Sequence, residues 1–361
     1  MGLDKVLLVA DPFLVQNGVT GKIQKGLESA GCKVVGTFSE IPPNSEVKVV
    51  KACIELAKKA GADGIVAIGG GSAIDTAKAA NIVFSLGGDL VEDYSGTQTI
   101  PRNLKPLIVI PTTAGTGSEV TSAAVILDES SQTKLSFTDP HLRPALALLD
   151  PELTLSLPPK VTAMTGMDAL THAIEAITSV QANPMSEALA MEAIELISKN
   201  LLKAVEHGDD LEARSNMLIA ANMAGIAFDH SMVGIVHAMS HASGGVAHVP
   251  HGLANSIFLP LGMEYNLSTS AAHYAAIARH LGLETKGLSE EAAAQMAIQY
   301  VRDLRHSMKQ ACGLPDRLRD AGVKEEQLET ISEVAAEDGA VFYNPREVTL
   351  EGVSEKVREA F

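Results

Sequence analysis

Tryptophan is absent from the 361 residues, and aromatic residues of all kinds make up only 4%. Any core must therefore be packed from Ala, Leu, Ile, Val and Met. Cysteine is scarce as well. Cys32, Cys53 and Cys312 are odd in number and far apart, which excludes a disulfide framework and a zinc knuckle. Such usage suits a reducing cytoplasm. Basic residues are outnumbered, 28 against 44 acidic, for a net charge of −16. A chain this acidic repels phosphate backbones, so a nucleic-acid partner is not expected. No run of about eighteen apolar residues occurs, so no membrane span is expected. The N-terminal MGLDKVLLVADP is too short in its apolar part for a signal peptide.

What the chain does have is histidine in one place. HAMSHASGGVAHVPHG, His237 to Gly252, carries four of the eleven histidines. His237 and His241 are four apart and share a face if the segment is helical. His248 and His251 follow what reads as a Gly-Gly break, in a turn closed by Pro250 and Gly252. Upstream, Asp168 and His172 are also four apart in TGMDALTHAIE. A helix offering Asp and His, facing a second segment of spaced imidazoles, can close around one divalent metal.

The first half alternates strands and helices. Lys5–Ala10, Lys33–Thr37, Gly64–Ile68, Leu107–Ile110 and Ala145–Leu149 read as strands. Helical spacing covers roughly 19–30, a segment capped by Ser45 and ended by Gly61, and roughly 73–86. Continuous apolar strands alternating with helices predict a mostly parallel sheet covered on both faces. Gly69-Gly70-Gly71-Ser72 falls between a strand and a helix, where backbone amides can meet a pyrophosphate. Thr112, Thr113, Thr116 and Ser118 follow a later strand at the same edge. Asp11 ends the first strand there too; a carboxylate in that place can bond a ribose or merely cap a helix. Beyond the Pro-rich LPPKVTAMTG the periodicity is helical, with no convincing strand. The expected architecture is an α/β dinucleotide domain over 1–154 and a helical metal domain over 155–361, with the cleft between them.

Taken together, DPFLVQNG, GGGSAIDTAK, IPTTAGTGSE, TGMDALTHAIE, VHAMSHASGG, PHGLAN and NPREVTLE resemble the iron-containing, or group III, alcohol dehydrogenases. Within that family the style is that of the lactaldehyde reductase and propanediol dehydrogenase group. The resemblance implies a Rossmann-like nucleotide domain and a helical domain, the dehydroquinate synthase-like fold. It implies a metal on Asp168, His172, His237 and His251: Fe(II), with Zn(II) also suited to the donor set. It places Gly70, Gly71 and Ser72 on the pyrophosphate of NAD with Asp75 nearby, Thr112, Thr113, Thr116 and Lys134 along the cofactor, and Asp11 and Asn44 toward its adenosine end. His241 then faces the substrate as a proton relay, Phe228 lines the pocket, and His248 lies at its rim. Where lactaldehyde reductase carries Asn and Cys in the pocket, this chain has Ala123 and Ala340, which implies a roomier, more apolar site. The implied reaction is hydride exchange between a small primary alcohol or diol and its aldehyde. The implied assembly is a homo-oligomer, a dimer by preference. The alternative is a synthase of the dehydroquinate-synthase type. Its phosphorylated substrate would call for basic pocket residues, and the metal-domain stretches are poor in these.

Overall fold

The computed structural model describes residues 2–42, 45–129 and 133–361. The chain forms two compact units: residues 1–113 with 117–154, and residues 114–116 with 155–361.

The first unit grows from apolar strands. β1 (Lys5–Ala10) is buried at every position after Lys5, and β3 (Gly64–Gly69) at every position. Strands apolar on both faces must be central and covered twice. β2 (Lys33–Phe38), β5 (Leu107–Pro111) and β8 (Leu146–Ala147) complete a sheet ordered β2-β1-β3-β5-β8, with all pairs parallel. Leu7, Val9 and Ile65 pack toward α3 (Val47–Ala60) and α4 (Gly71–Leu86) on one face. Val6, Leu8 and Val66 pack toward α2 (Val19–Ser29) on the other. Each such aliphatic side chain contributes about 1.5–3 kcal/mol by leaving water.

One detail settles a choice the sequence left open, and two differ from the sequence reading. Asp11 caps a short helix, α1 (Pro12–Gln16), one of the two roles the sequence allowed it. Phe13 N donates to its Oδ1 at 2.9 Å, and Pro12 supplies the first helical position. Ser45 does not cap α3. The N-cap position is Glu46, without a side-chain cap bond, and Ser45 Oγ instead bonds Thr76 Oγ1 at 2.5 Å. A second sheet also went unread. β4 (Gly96–Thr97), β7 (Thr133–Thr138) and β6 (Ala123–Asp128) lie side by side, with β6 and β7 antiparallel. Its strands are only half-buried and lack the continuous apolar run that marks a central strand. A further short helix, α5 (Leu90–Tyr94), completes the unit.

The second unit is helical among its described residues: α6 (Pro159–Thr178), α7 (Pro184–Glu206), α8 (Leu211–Ser231), α9 (Ile235–Ala247), α10 (His251–His280), α11 (Glu290–Cys312), α12 (Leu328–Ala336) and α13 (Leu350–Ala360). Small residues let these helices approach closely. A Cβ on Gly166 of α6 would lie 2.2 Å from Leu201 of α7. α8 and α9 meet at a 102° bend. There Met232 takes φ +67°, and Gly234 cannot carry a side chain, because a Cβ would lie 2.7 Å from Asn344 Oδ1. The expected break at Gly244-Gly245 does not occur. α9 runs through both glycines and ends at His248, which adopts the left-handed conformation at φ +55°. A helix tolerates Gly at modest cost, and His is among the residues that enter the left-handed region more readily. Among the described residues, no single helix is long and apolar enough to cross a membrane.

Candidate metal centre and nucleotide edge

Three helices of the second unit each present a pair of polar residues one turn apart. α6 carries Asp168 and His172, α9 carries His237 and His241, and α10 opens with His251 followed by Asn255. Residues at i and i+4 share a face, so each helix turns two groups the same way. Asp168, His172, His237 and His251 offer ligand atoms that all lie within 4.8 Å of one another. The first three are buried and His251 is partly so. Gly252 makes this closeness feasible, since a Cβ there would sit 2.5 Å from the Met164 carbonyl and 3.3 Å from Asp168 Cβ.

The protonation pattern of the cluster is legible. His237 Nδ1 lies 2.5 Å from Glu175 Oε2. A carboxylate accepts, so Nδ1 carries the proton and Nε2 turns a lone pair to the centre. This is the carboxylate–histidine arrangement that orients and strengthens metal-ligating imidazoles. Asn255 Nδ2 lies 2.6 Å from Asp168 Oδ1, 3.2 Å from His237 Nε2 and 3.1 Å from His251 Nε2. One amide group with two protons thus faces three acceptors. Converging lone pairs that outnumber the available protons are the donor set a divalent cation satisfies, and three imidazoles with one carboxylate suit iron or zinc. Burial holds His172 and His237 below the usual imidazole range, which keeps them neutral, as ligands must be. Burial also raises Asp168, and pushes Glu175 up to about 7.

Glu175 has a second task. Gly234 gives α9 no capping side chain, and Glu175 Oε1 accepts from Val236 N at 2.7 Å while Asn344 Oδ1 accepts from Ile235 N at 3.2 Å. One carboxylate therefore caps the helix and orients the imidazole in its first turn. His241 Nδ1 is 3.0 Å from Asp338 Oδ2, and its ring stacks on His251 at 5.4 Å between centroids. Phe228 stacks on His172 at 4.2 Å. Ala340 is buried and its amide donates to Asp338 Oδ1 at 2.8 Å. His248 is exposed. Sequence reasoning missed Glu175, Asn255 and Asp338 as participants. The first two had a signal, since they continue the Asp168–His172 and His251 faces at helical spacing. Asp338 had none, because it is 97 positions from His241.

In the first unit a glycine-rich turn crosses the C-terminal edge of the parallel sheet. Gly69 takes φ +153°, and a Cβ on it would lie 2.7 Å from Ala73 and 3.4 Å from Asp11. Gly70 forms the N-cap of α4, with Thr113 only 3.2 Å from where its Cβ would be. Gly71 and Ser72 open α4, and Thr112 N donates to Gly69 O at 3.0 Å. Asp11, the glycine loop, Thr112 and Thr113 are thus neighbours at one helix N-terminus, a place suited to an anionic ligand. Thr116 belongs to the helical unit's compact cluster. Asp75 is engaged internally. Its Oδ1 accepts from Ser118 Oγ at 2.6 Å and its Oδ2 from Val125 N at 3.0 Å, while burial raises its pKa. Burial lowers Lys134, against the opposing charge of Asp75. Ala123 begins β6 and its carbonyl accepts from Lys78 Nζ at 2.8 Å. Asn44 lies outside the described residues.

The model for iron-containing alcohol dehydrogenases matches residues 1–151, and that for the C-terminal part of the Fe-containing alcohol dehydrogenase family matches residues 162–361. The chain belongs to the iron-containing alcohol dehydrogenase family. It is 38% identical over 360 residues to the NAD-dependent methanol dehydrogenase of Bacillus methanolicus, covering 100% of this chain and 93% of that one. It is 40% identical over 363 residues to the 1,3-propanediol dehydrogenase of Citrobacter freundii, covering 100% and 92%. A crystal structure of 1,3-propanediol oxidoreductase superimposes with a TM-score of 0.96 at 39% identity, covering 100% of this chain and 93% of that one. As a member of this family, the chain is an oxidoreductase that interconverts alcohols and aldehydes. The synthase alternative is set aside, because the matched families and relatives are dehydrogenases.

Proposed function

We propose that this alcohol dehydrogenase interconverts small primary alcohols or diols and their aldehydes, with NAD as hydride carrier and Fe(II) as the metal. The observation that carries the reading is the convergence of Asp168, His172, His237 and His251 within 4.8 Å, with His237 oriented by Glu175. These four side chains would hold the ion, and Zn(II) competes for the same donors. When bound, the ion supplies Lewis acidity that makes an alcohol hydroxyl easier to deprotonate, and NAD supplies the hydride acceptor.

The chain's own groups do the rest. Glu175 keeps the Nδ1 proton of His237 in place, so that Nε2 stays a donor. Asp338 holds His241 through Nδ1, which leaves Nε2 to pass the hydroxyl proton outward. Phe228, stacked on His172, would give the substrate an apolar wall beside the metal ligands, and an alanine methyl, as at Ala340 or at Ala123, has no partner to offer a second hydroxyl. Gly70, Gly71, Ser72, Thr112, Thr113 and Thr116 would take the pyrophosphate and nicotinamide half of NAD. Asp11 and Asn44 would take the adenosine ribose, with Asp75 and Lys134 supporting the loop. Residues 1–154 form the nucleotide domain in this reading and 155–361 the metal domain. The three cysteines are free thiols, which accords with a reducing cytoplasm, where we place the enzyme as a homodimer. The test is NADH formation by iron-loaded protein given NAD and a primary alcohol, followed by near-ultraviolet absorbance. Absence of NADH from protein with a full complement of iron would overturn the reading.

A further inference from the structure

The segment from Asp338 to Asn344 packs against α9 and is fastened to it at both ends. It contains the short helical turn Gly339–Tyr343, capped by Asp338. At one end Asp338 Oδ2 lies 3.0 Å from His241 Nδ1. At the other, Asn344 Oδ1 accepts from Ile235 N at 3.2 Å. Both pairs of anchors, 338 with 344 and 235 with 241, are six positions apart, so the two segments run antiparallel and in step. The second anchor meets a need of the helix. First-turn N–H groups lack an intrahelical acceptor, and Gly234 supplies no capping side chain.

The Asn344 end is firmly built. Asn344 is buried, and its amide makes every hydrogen bond open to it. Oδ1 also accepts from Asn266 Nδ2 of α10 at 2.8 Å, and Nδ2 donates to Asn266 Oδ1 at 2.7 Å and to Arg346 O at 2.6 Å. Two bonds accepted and two donated exhaust a side-chain amide. They also fix its orientation, since the amide turned over would set N–H against the N–H of Ile235. The residues that follow in NPREVTLE tighten the hold on α10. Arg346 Nη1 donates to Tyr265 O at 2.7 Å, and its guanidinium lies 4.3 Å from the centre of the Tyr265 ring. Tyr265 Oη donates to Glu347 O at 2.6 Å. The His241 ring, by contrast, is only partly buried, and Asp338 is what reaches it from this segment.

We propose that Asn344 is a positioning residue for the proton relay. By locking the far end of the segment to α9 and α10, it holds Asp338 within reach of His241 Nδ1. The inference rests on the reading of His241 as the relay. Proton transfer requires heavy atoms at hydrogen-bonding distance, and a misplacement of about 1 Å can cost about a hundredfold in rate. A clasp whose firm end is remote from the chemistry is therefore able to set its rate.

The test is a double-mutant cycle on the iron-loaded enzyme. Asn344→Ala should lower kcat about tenfold or more, with KM for alcohol and for NAD nearly unchanged and iron content near that of the unmodified enzyme. Asp338→Asn should lower kcat at least as far. Adding Asn344→Ala to it should cost less than about twofold more, because both changes break one device. Asn266→Ala keeps the cap on Ile235 but removes its support, so a loss of about threefold is expected; should Asn344→Ala fail to fold, this variant carries the cycle. Hydrogen exchange gives a readout apart from turnover: residues 235–241 and 338–344 should exchange faster in Asn344→Ala, and α7 should not. Unchanged kcat in both Asn344→Ala and Asn266→Ala, losses that multiply with that of Asp338→Asn, unchanged exchange at 338–344, or loss of iron from Asn344→Ala would each overturn the proposal. If Asp338→Asn by itself leaves kcat intact, the relay reading fails first, and the proposal with it.

Discussion

In the proposed reading the glycine loop and the imidazole cluster would each hold a charged ligand, with opposite materials. At the edge of the sheet the groups that would face a ligand are backbone amides, and side chains matter mainly by being absent: Gly69 and Gly70 sit where a Cβ would strike Ala73 or crowd Thr113. In the helical unit the converging atoms belong to side chains, and carboxylates orient two of the imidazoles, His237 by Glu175 and His241 by Asp338. A backbone site is a property of a turn and a helix end. A side-chain site is a property of three helices packed in one register. The first should survive most side-chain changes, whereas the second should fail at single residues.

The sharpest break in that comparison is His251→Ala. One of four donors disappears, and both bound metal by elemental analysis and kcat/KM should fall by about a hundredfold or more, exceeding the loss from orienting partners alone. Full occupancy in this variant would remove His251 from the ligand set. His241→Ala should separate holding the metal from moving the proton. Metal content should stay near normal while kcat falls by about a hundredfold or more, the range of a lost acid–base group. A collapse of metal content like that of His251→Ala would make His241 a ligand. Glu175→Gln keeps shape and tests orientation. Chelator competition should show metal affinity weakened about 10–100-fold; unchanged affinity would leave Glu175 as a helix cap only.

On the backbone side the effects should be smaller. The carboxylate of Asp11 can bond a ribose and repel a 2′-phosphate, so the enzyme should prefer NAD over NADP by about tenfold or more. Asp11→Gly should relax this mainly through better NADP use in paired kcat/KM measurements. Equal use of both by the unmodified enzyme would reduce Asp11 to the α1 cap. The smallest effect concerns Ala123 and Ala340. A pocket without partners for a second hydroxyl discriminates weakly, so kcat/KM for propanol or butanol should roughly equal or exceed that for propane-1,2-diol. A strong preference for the diol would show that another group reads its second hydroxyl.

Local pattern determined much of this molecule before any packing was known. The apolar runs at Lys5–Ala10 and Gly64–Ile68 could only be central strands, and a parallel sheet places its loops, including Gly69–Ser72, along one edge. The i, i+4 spacings of Asp168 with His172 and of His237 with His241 already aligned each pair on a helix face. Tertiary structure decided the rest. Ser45 was free to cap α3 by sequence, yet bonds Thr76, because packing set α4 beside it. The half-buried hairpin of β6 and β7 carried no continuous apolar run to announce it. Glu175 serves two groups of α9 at once, a backbone amide and an imidazole, only because α9 begins at a sharp bend without its own cap. The pairing of Asp338 with His241 crosses 97 positions. Periodicity records which way a side chain points from its own helix. What it meets there depends on contacts between distant segments, which no local pattern encodes.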